Sequence, residues 1–204
     1  MRYAKPLLFV LLVAPAAWLV VGAAQGELGA NPIEKVTHET GSLALQCLIA
    51  SLAVTPLRRV TGWNAIVGLR RMLGLFAFFY ATLHLLTYVV LDQFFDWPSI
   101  VGDLTKRPYI VAGATSLALM VPLAITSTTG WIRRLGGRNW RRLHRLAYVA
   151  AAAAVVHFWW LVKADVTEPA LYGAVLAGLL GARVWWAWRA RDGGGPISGA
   201  ASRK

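Results

Sequence analysis

Two twenty-residue apolar stretches constrain this chain most, Met72–Leu91 (MLGLFAFFYATLHLLTYVVL) and Leu143–Val162 (LHRLAYVAAAAAVVHFWWLV), with His84 and His157 deep inside them. About twenty residues of helix cross the hydrocarbon core of a bilayer. An ionisable group at that depth is expensive unless a partner or a bound group satisfies it. These stretches predict membrane helices, and their histidines are the first functional candidates.

The remaining sequence agrees with a membrane class. Of the 204 residues, 57% are hydrophobic and 15% charged, too apolar for an ordinary soluble domain of this size. Six segments read as spans: Leu7–Ala24, Ser42–Leu57, Met72–Leu91, Tyr109–Thr126, Leu143–Val162 and Pro169–Trp188. The expected fold is all-α, with six transmembrane helices forming one domain over residues 1–191. The Gly/Ser-rich residues 192–204 (DGGGPISGAASRK) read as a disordered tail. Arg2, Lys5 and the apolar run after them also resemble a signal peptide, but the run is long for one, so a retained helix is expected.

A net charge of +12 invites a nucleic-acid reading, and its distribution excludes one. With a cytoplasmic N-terminus, 17 of the 21 basic residues fall on the inner side and eight of the nine acids on the outer side. This positive-inside pattern puts both termini in the cytoplasm. No basic face is left over for nucleic acid. The single cysteine, Cys47, excludes an internal disulfide, a CxxCH haem attachment and an all-cysteine cluster within the chain. No strand–helix–strand pattern or dinucleotide fingerprint follows the last span. No internal repeat is evident.

Counted along their helices, His84 and His157 lie at similar depth, nearer the outer face. Neutral imidazole is a strong iron ligand, and facing bundle helices commonly hold a haem. Phe76, Phe79, Tyr80, Phe158, Trp159 and Trp160 are candidate walls for such a macrocycle, and ordinary helix packing is their alternative. The competing reading for the histidines is a hydrogen bond across helices. His144 sits 13 residues before His157, about 20 Å lower and roughly 140° around a straight helix. Arg70, Arg71 and Met72 lie near its depth on the third span, so spacing leaves an inner haem open. His38 reads as a surface residue of the outer loop. The inner arginines follow from topology, and some suit haem propionates, a flavin phosphate or a quinone headgroup.

The stretches LGANPIEKVTHETG, TPLRR, LRRMLGL, YATLHLLTY, KRPYI, AITSTTGWIRRLGGRNWRRLHRLAYV and VVHFWWLVK run in order from about Leu28 to Lys163. Together they resemble the MsrQ (YedZ) family within the ferric reductase-like transmembrane group, which includes the NADPH oxidases. The resemblance implies a protein of the bacterial inner membrane, with b-type haem held by His84 and His157 and with His144 as a further ligand. It implies electron flow from the quinone pool or a cytoplasmic flavin reductase to a periplasmic molybdopterin methionine sulfoxide reductase. FMN is associated with the family, though no flavin motif is present here. Against the NADPH oxidases, this chain lacks the inner histidine of the third helix and a nucleotide domain. Alternative readings are a stand-alone ferric or quinone reductase cytochrome b, and a cofactor-free membrane transporter or assembly protein.

Overall fold

The computed structural model describes residues 3–162 and 164–192, and among these it is helical with no strand. The helices are α1 (Ala4–Gln25), α2 (Pro32–Thr61), α3 (Val67–Leu86), α4 (Trp97–Lys106), α5 (Pro108–Ile125), α6 (Thr129–Leu143), α7 (Leu146–Leu161) and α8 (Thr167–Asp192). Of the expected tail over residues 192–204, Asp192 is the last residue of α8 and residues 193–204 lie outside the described residues.

Five helical segments are long and apolar enough to cross a membrane: α1, α2, Asn64–Asp92 (which contains α3), α5 and α8. The sixth apolar helix, α7, has 16 residues, about 24 Å of rise, so it is shorter than the others. The expected start of that span at Leu143 is corrected. The chain turns at His144–Arg145, and α7 begins only at Leu146. The straight-helix angle between His144 and His157 therefore does not apply.

Helix α2 begins ten residues before the expected Ser42. Asn31 caps it by accepting from the Glu34 N–H at 3.2 Å, Pro32 occupies its first turn, and Glu34 complements the helix dipole. The helix ends at Gly62, whose φ of 70° is left-handed and whose N–H bonds the Arg58 carbonyl. His38 thus lies on α2 and is exposed there, not in a loop. Two further loops prove helical. The expected outer loop contains α4, clamped by Asp103, which accepts from the Tyr88 hydroxyl (2.8 Å) and pairs with Arg107 (3.1 Å). The expected inner loop is α6, broken at Gly136 (φ 73°, ψ 147°), with five arginines and no buried residue.

The bundle centre is two helix pairs, α2 against α3 and α5 against α7, with α8 alongside α7 and α1 at the edge. Ala77, Ala150 and Ala151 are fully buried where helices meet, since small side chains let backbones approach. Leu45, Leu48, Leu52, Tyr80, Met120 and Val155 complete the core. Outside it, the helices expose large apolar side chains, such as Leu7 (71%) and Val184 (69%), over a surface that lipid suits and water does not. The proline inside α2 is answered by a neighbouring helix. Pro56 has no N–H for the Leu52 carbonyl one turn back, and the Arg183 guanidinium of α8 donates to that carbonyl.

The basic residues gather at one end of this arrangement. Arg58 and Arg59 end α2, Arg70 and Arg71 open α3, α6 adds its five, and Arg183 and Arg189 lie toward the end of α8. Arg59 and Arg189 lie over Trp186 and Trp185 at 4.9 and 4.0 Å. Most of the acids mark the opposite end, where the chain passes between α1 and α2, α3 and α5, and α7 and α8.

Candidate functional site

The two central helix pairs each deliver one histidine toward the acidic end, and each does so with the same local device. On α3, half-buried His84 sets its Nδ1 2.9 Å from the Thr37 carbonyl of α2. On α7, half-buried His157 sets its Nδ1 2.6 Å from the Tyr109 carbonyl of α5. A carbonyl only accepts, so each Nδ1 carries the proton and each Nε2 keeps its lone pair. A ligating imidazole is commonly prepared in this way, with its far N–H fixed by a backbone oxygen.

A glycine stands four residues after each accepting carbonyl: Gly41 after Thr37, and Gly113 after Tyr109. A Cβ on Gly41 would come within 3.1 Å of the His84 Nδ1, and one on Gly113 within 2.8 Å of the His157 Nδ1. In a helix, the residue at i+4 flanks the carbonyl of residue i, because its own N–H bonds there. A side chain at that position would block the imidazole's approach, which is why glycine is needed. The segments THETG and YIVAG are therefore a repeated unit, although their letters hardly resemble each other.

The rings face one another across the two pairs, with centroids 6.1 Å apart and planes at 81°. Two metal–imidazole bonds of about 2.1 Å, with the metal between the rings, would separate ring centres by about 6.4 Å. The observed spacing fits one metal shared by both rings. A free-standing ion usually needs three or four protein ligands, and among the described residues no group of three or more His, Cys, Asp or Glu could hold one. A porphyrin iron needs only two axial ligands from protein, so this donor set fits haem better than a bare ion.

The expected aromatic walls are only partly there. Phe79, Trp159 and Trp160 are 42%, 44% and 53% exposed on the outside of the bundle. Tyr80 is fully buried, but its hydroxyl is committed to the Leu12 carbonyl at 2.6 Å. Phe158 packs on Tyr172, and the ring beside His157 is instead Tyr109, at 6.1 Å. Sequence reasoning also missed Thr37 and Tyr109, because a backbone carbonyl has no residue-type signal. The two glycines were the available clue.

His144 is not brought to this pair. It lies in the turn before α7, at the arginine-rich end, with the Trp140 indole stacked on it at 3.9 Å. The Thr126 hydroxyl has one proton, which goes to the Pro122 carbonyl at 2.6 Å. Its oxygen therefore accepts from His144 Nε2–H at 3.1 Å, leaving Nδ1 with the lone pair. Trp140 Nε1 donates to the Thr126 carbonyl at 2.9 Å and closes the cluster. Burial, with the nearby Arg70 charge adding to it, holds the His144 ring below its ordinary range, so it stays neutral at pH 7. At this end Arg183 also lies over the Tyr148 ring at 4.9 Å, and its Nη1 is buried with no partner among the described residues.

Residues 40–155 match the model of the ferric reductase like transmembrane component family. The chain belongs to that family. Within it, curated relatives align over nearly the whole length. Similarity is 46% identity over 197 residues to a protein of Herminiimonas arsenicoxydans (96% of this chain, 90% of that one). It is 47% over 202 residues to one of Ralstonia nicotianae (98% and 93%). It is 49% over 193 residues to one of Rhodospirillum rubrum (95% and 93%). Each of the three is named protein-methionine-sulfoxide reductase heme-binding subunit MsrQ. No solved structure matches the chain. The family match spans α3, α5, most of α2 and the first ten residues of α7, so it includes Gly41, His84, Tyr109 and Gly113 and stops short of Thr37 at one end and of Val156 and His157 at the other.

Proposed function

We propose that this chain is the haem-carrying membrane subunit of a protein-methionine-sulfoxide reductase system, relaying electrons outward to a periplasmic molybdenum-containing reductase. The single observation that carries the reading is the duplicated histidine device, two neutral imidazoles fixed by backbone carbonyls and set 6.1 Å apart. The names of the near full-length relatives support the system to which it belongs.

In this reading His84 and His157 would hold one b-type haem. Bound there, such a group supplies one-electron transfer between ferrous and ferric iron. The chain's own contribution is positional. Thr37 and Tyr109 fix the tautomer and tilt of each ring, Gly41 and Gly113 let the rings come close, and the packed pairs keep water out. His144 would hold a second, inner haem, with Nδ1 rather than Nε2 free to bind it. The unpartnered Arg183 Nη1 and the neighbouring Arg70 are suited to its propionates. The quinone pool or a cytoplasmic flavin reductase is the donor. FMN enters only by family association, because the described residues offer it no recognisable motif.

We read the chain as six spans in the bacterial inner membrane with both termini cytoplasmic, a reading supported by the five long helices plus α7 and by the gathering of arginine at one end. The acidic end then faces the periplasm, placing the outer pair beside the partner.

The test is electron delivery. The dithionite-reduced chain, freed of excess reductant, is mixed with the periplasmic reductase and methionine sulfoxide. Re-oxidation of the haem spectrum that needs both additions is the expected result. Re-oxidation by ferric citrate or quinone alone, with no response to the reductase and its substrate, would instead identify a stand-alone reductase.

A further inference from the structure

Helix α1 packs more loosely toward its start than toward its end. Its buried residues are Leu19 and Gly22, both in the half toward the acidic end, where the Leu28 side chain fills the space a Gly22 Cβ would need. No residue of its first half is buried. There α1 meets α3 at two points, the Leu12 carbonyl under the Tyr80 hydroxyl at 2.6 Å and Phe9 edge-on to Phe76 at 5.6 Å. The result is a groove of about 600 Å³ between the two helices, at the arginine-rich end of the bundle.

The walls of this groove change character along its length. Phe9 and Val13 on one side and Leu75, Phe76 and Phe79 on the other are apolar. Lys5 and Arg71 line its basic end, and Lys5 lies across α3 at Gly68, its Cε 3.5 Å from where a Cβ would stand. From Gly68 to Phe79 is about 16 Å of helix rise. That is close to one leaflet, about half of the 30 Å hydrocarbon core. An apolar trench one leaflet deep with two cations at its mouth complements an amphiphile with an anionic head and an acyl tail. Lipid headgroups are known to be taken by such basic pockets between helices.

We propose that this groove is a binding site for an anionic phospholipid, with the phosphate on Lys5 and Arg71 and an acyl chain along Phe9, Phe76 and Phe79. The lipid fills the trench that α1 and α3 leave below the Tyr80–Leu12 contact and adds to what holds α1 against the bundle. The site lies on the outer face of α3 and stands apart from the histidine pair, so it does not rest on the haem reading.

The experiment is native mass spectrometry of the delipidated full chain in detergent, titrated with dioleoyl phosphatidylglycerol and, separately, with dioleoyl phosphatidylcholine. The expected result is one tightly held phosphatidylglycerol, bound about tenfold more strongly than phosphatidylcholine. In Lys5→Gln/Arg71→Gln that preference falls to near parity with the haem content unchanged. Val13→Trp, which fills the trench and keeps both charges, should weaken both lipids. Equal affinity for the two lipids in the parent chain overturns the proposal. So does a preference that survives the double substitution, or displacement of the bound lipid by inorganic phosphate alone. Tighter binding of a neutral ubiquinone than of phosphatidylglycerol would assign the groove to another occupant and also overturn it.

Discussion

Histidine is held in opposite ways at the two ends of this bundle. At the acidic end two rings are fixed by backbone. Each comes from a different helix pair, each gives its Nδ1–H to a helix carbonyl, and each is admitted by a glycine four residues further on. At the basic end a single ring is fixed by side chains, through its Nε2–H to Thr126 and under the Trp140 indole. The first arrangement is symmetric and hard to alter, since its fixing groups belong to the main chain. The second can be dismantled one side chain at a time. The acidic end should therefore respond to small changes of shape, and the basic end to changes of hydrogen bonding.

The largest effect that separates the ends is expected from Gly113→Ala. Its Cβ would stand 2.8 Å from the His157 Nδ1 and 3.2 Å from Cγ, so the ring must move off the Tyr109 carbonyl. Disturbing the group that orients a ligand commonly costs about 10–100-fold in affinity. Haem titration of the apoprotein should show that loss. Gly41→Ala meets its ring at 3.1 Å and should lose less. Equal, wild-type binding in both variants would break the claim that these glycines serve the rings.

An intermediate effect should appear at the basic end in Arg183→Met, which leaves the Leu52 carbonyl above Pro56 without its donor. An orphaned buried acceptor costs about 1–3 kcal/mol. A thermal melt in detergent should drop by several degrees, while the haem signal of the outer pair stays as it was.

The smallest effect belongs to Thr126→Val, which removes one neutral hydrogen bond to His144, worth about 1 kcal/mol. Only spectral features that also vanish in His144→Ala should move. A change in the outer signal would show that the ends are coupled more tightly than their separate fixings suggest.

Much of this was legible in the sequence. The long apolar segments announce the spans, the arginines announce one end, and the depth count already pairs His84 with His157. The rest was hidden for physical reasons. His144 looked helical because LHRLAYV is apolar and periodic enough to continue α7 backward, yet the chain turns at His144–Arg145 between the arginine-rich α6 and α7. The start of α2 was hidden by the polar residues of KVTHETG, which suggest a loop until the Asn31–Pro32 cap is seen to launch a helix through them. The duplicated device was invisible because its acceptors are carbonyls, and Thr and Tyr share no side-chain chemistry that the site uses. Only the spacing of a glycine after each hinted at it. Of the aromatic residues, hydrophobicity alone could not say that Trp159 and Trp160 face outward while Tyr109 flanks His157.

The central claim is that His84 and His157 serve one iron together, and haem-to-protein stoichiometry tests it most directly. The purified parent chain, His84→Ala, His157→Ala and the double variant are each assayed for haem per polypeptide. The account predicts that either single substitution removes the same one haem and that the double variant loses no more than either single. Parent-level haem in both singles, or losses that add in the double variant, would contradict it.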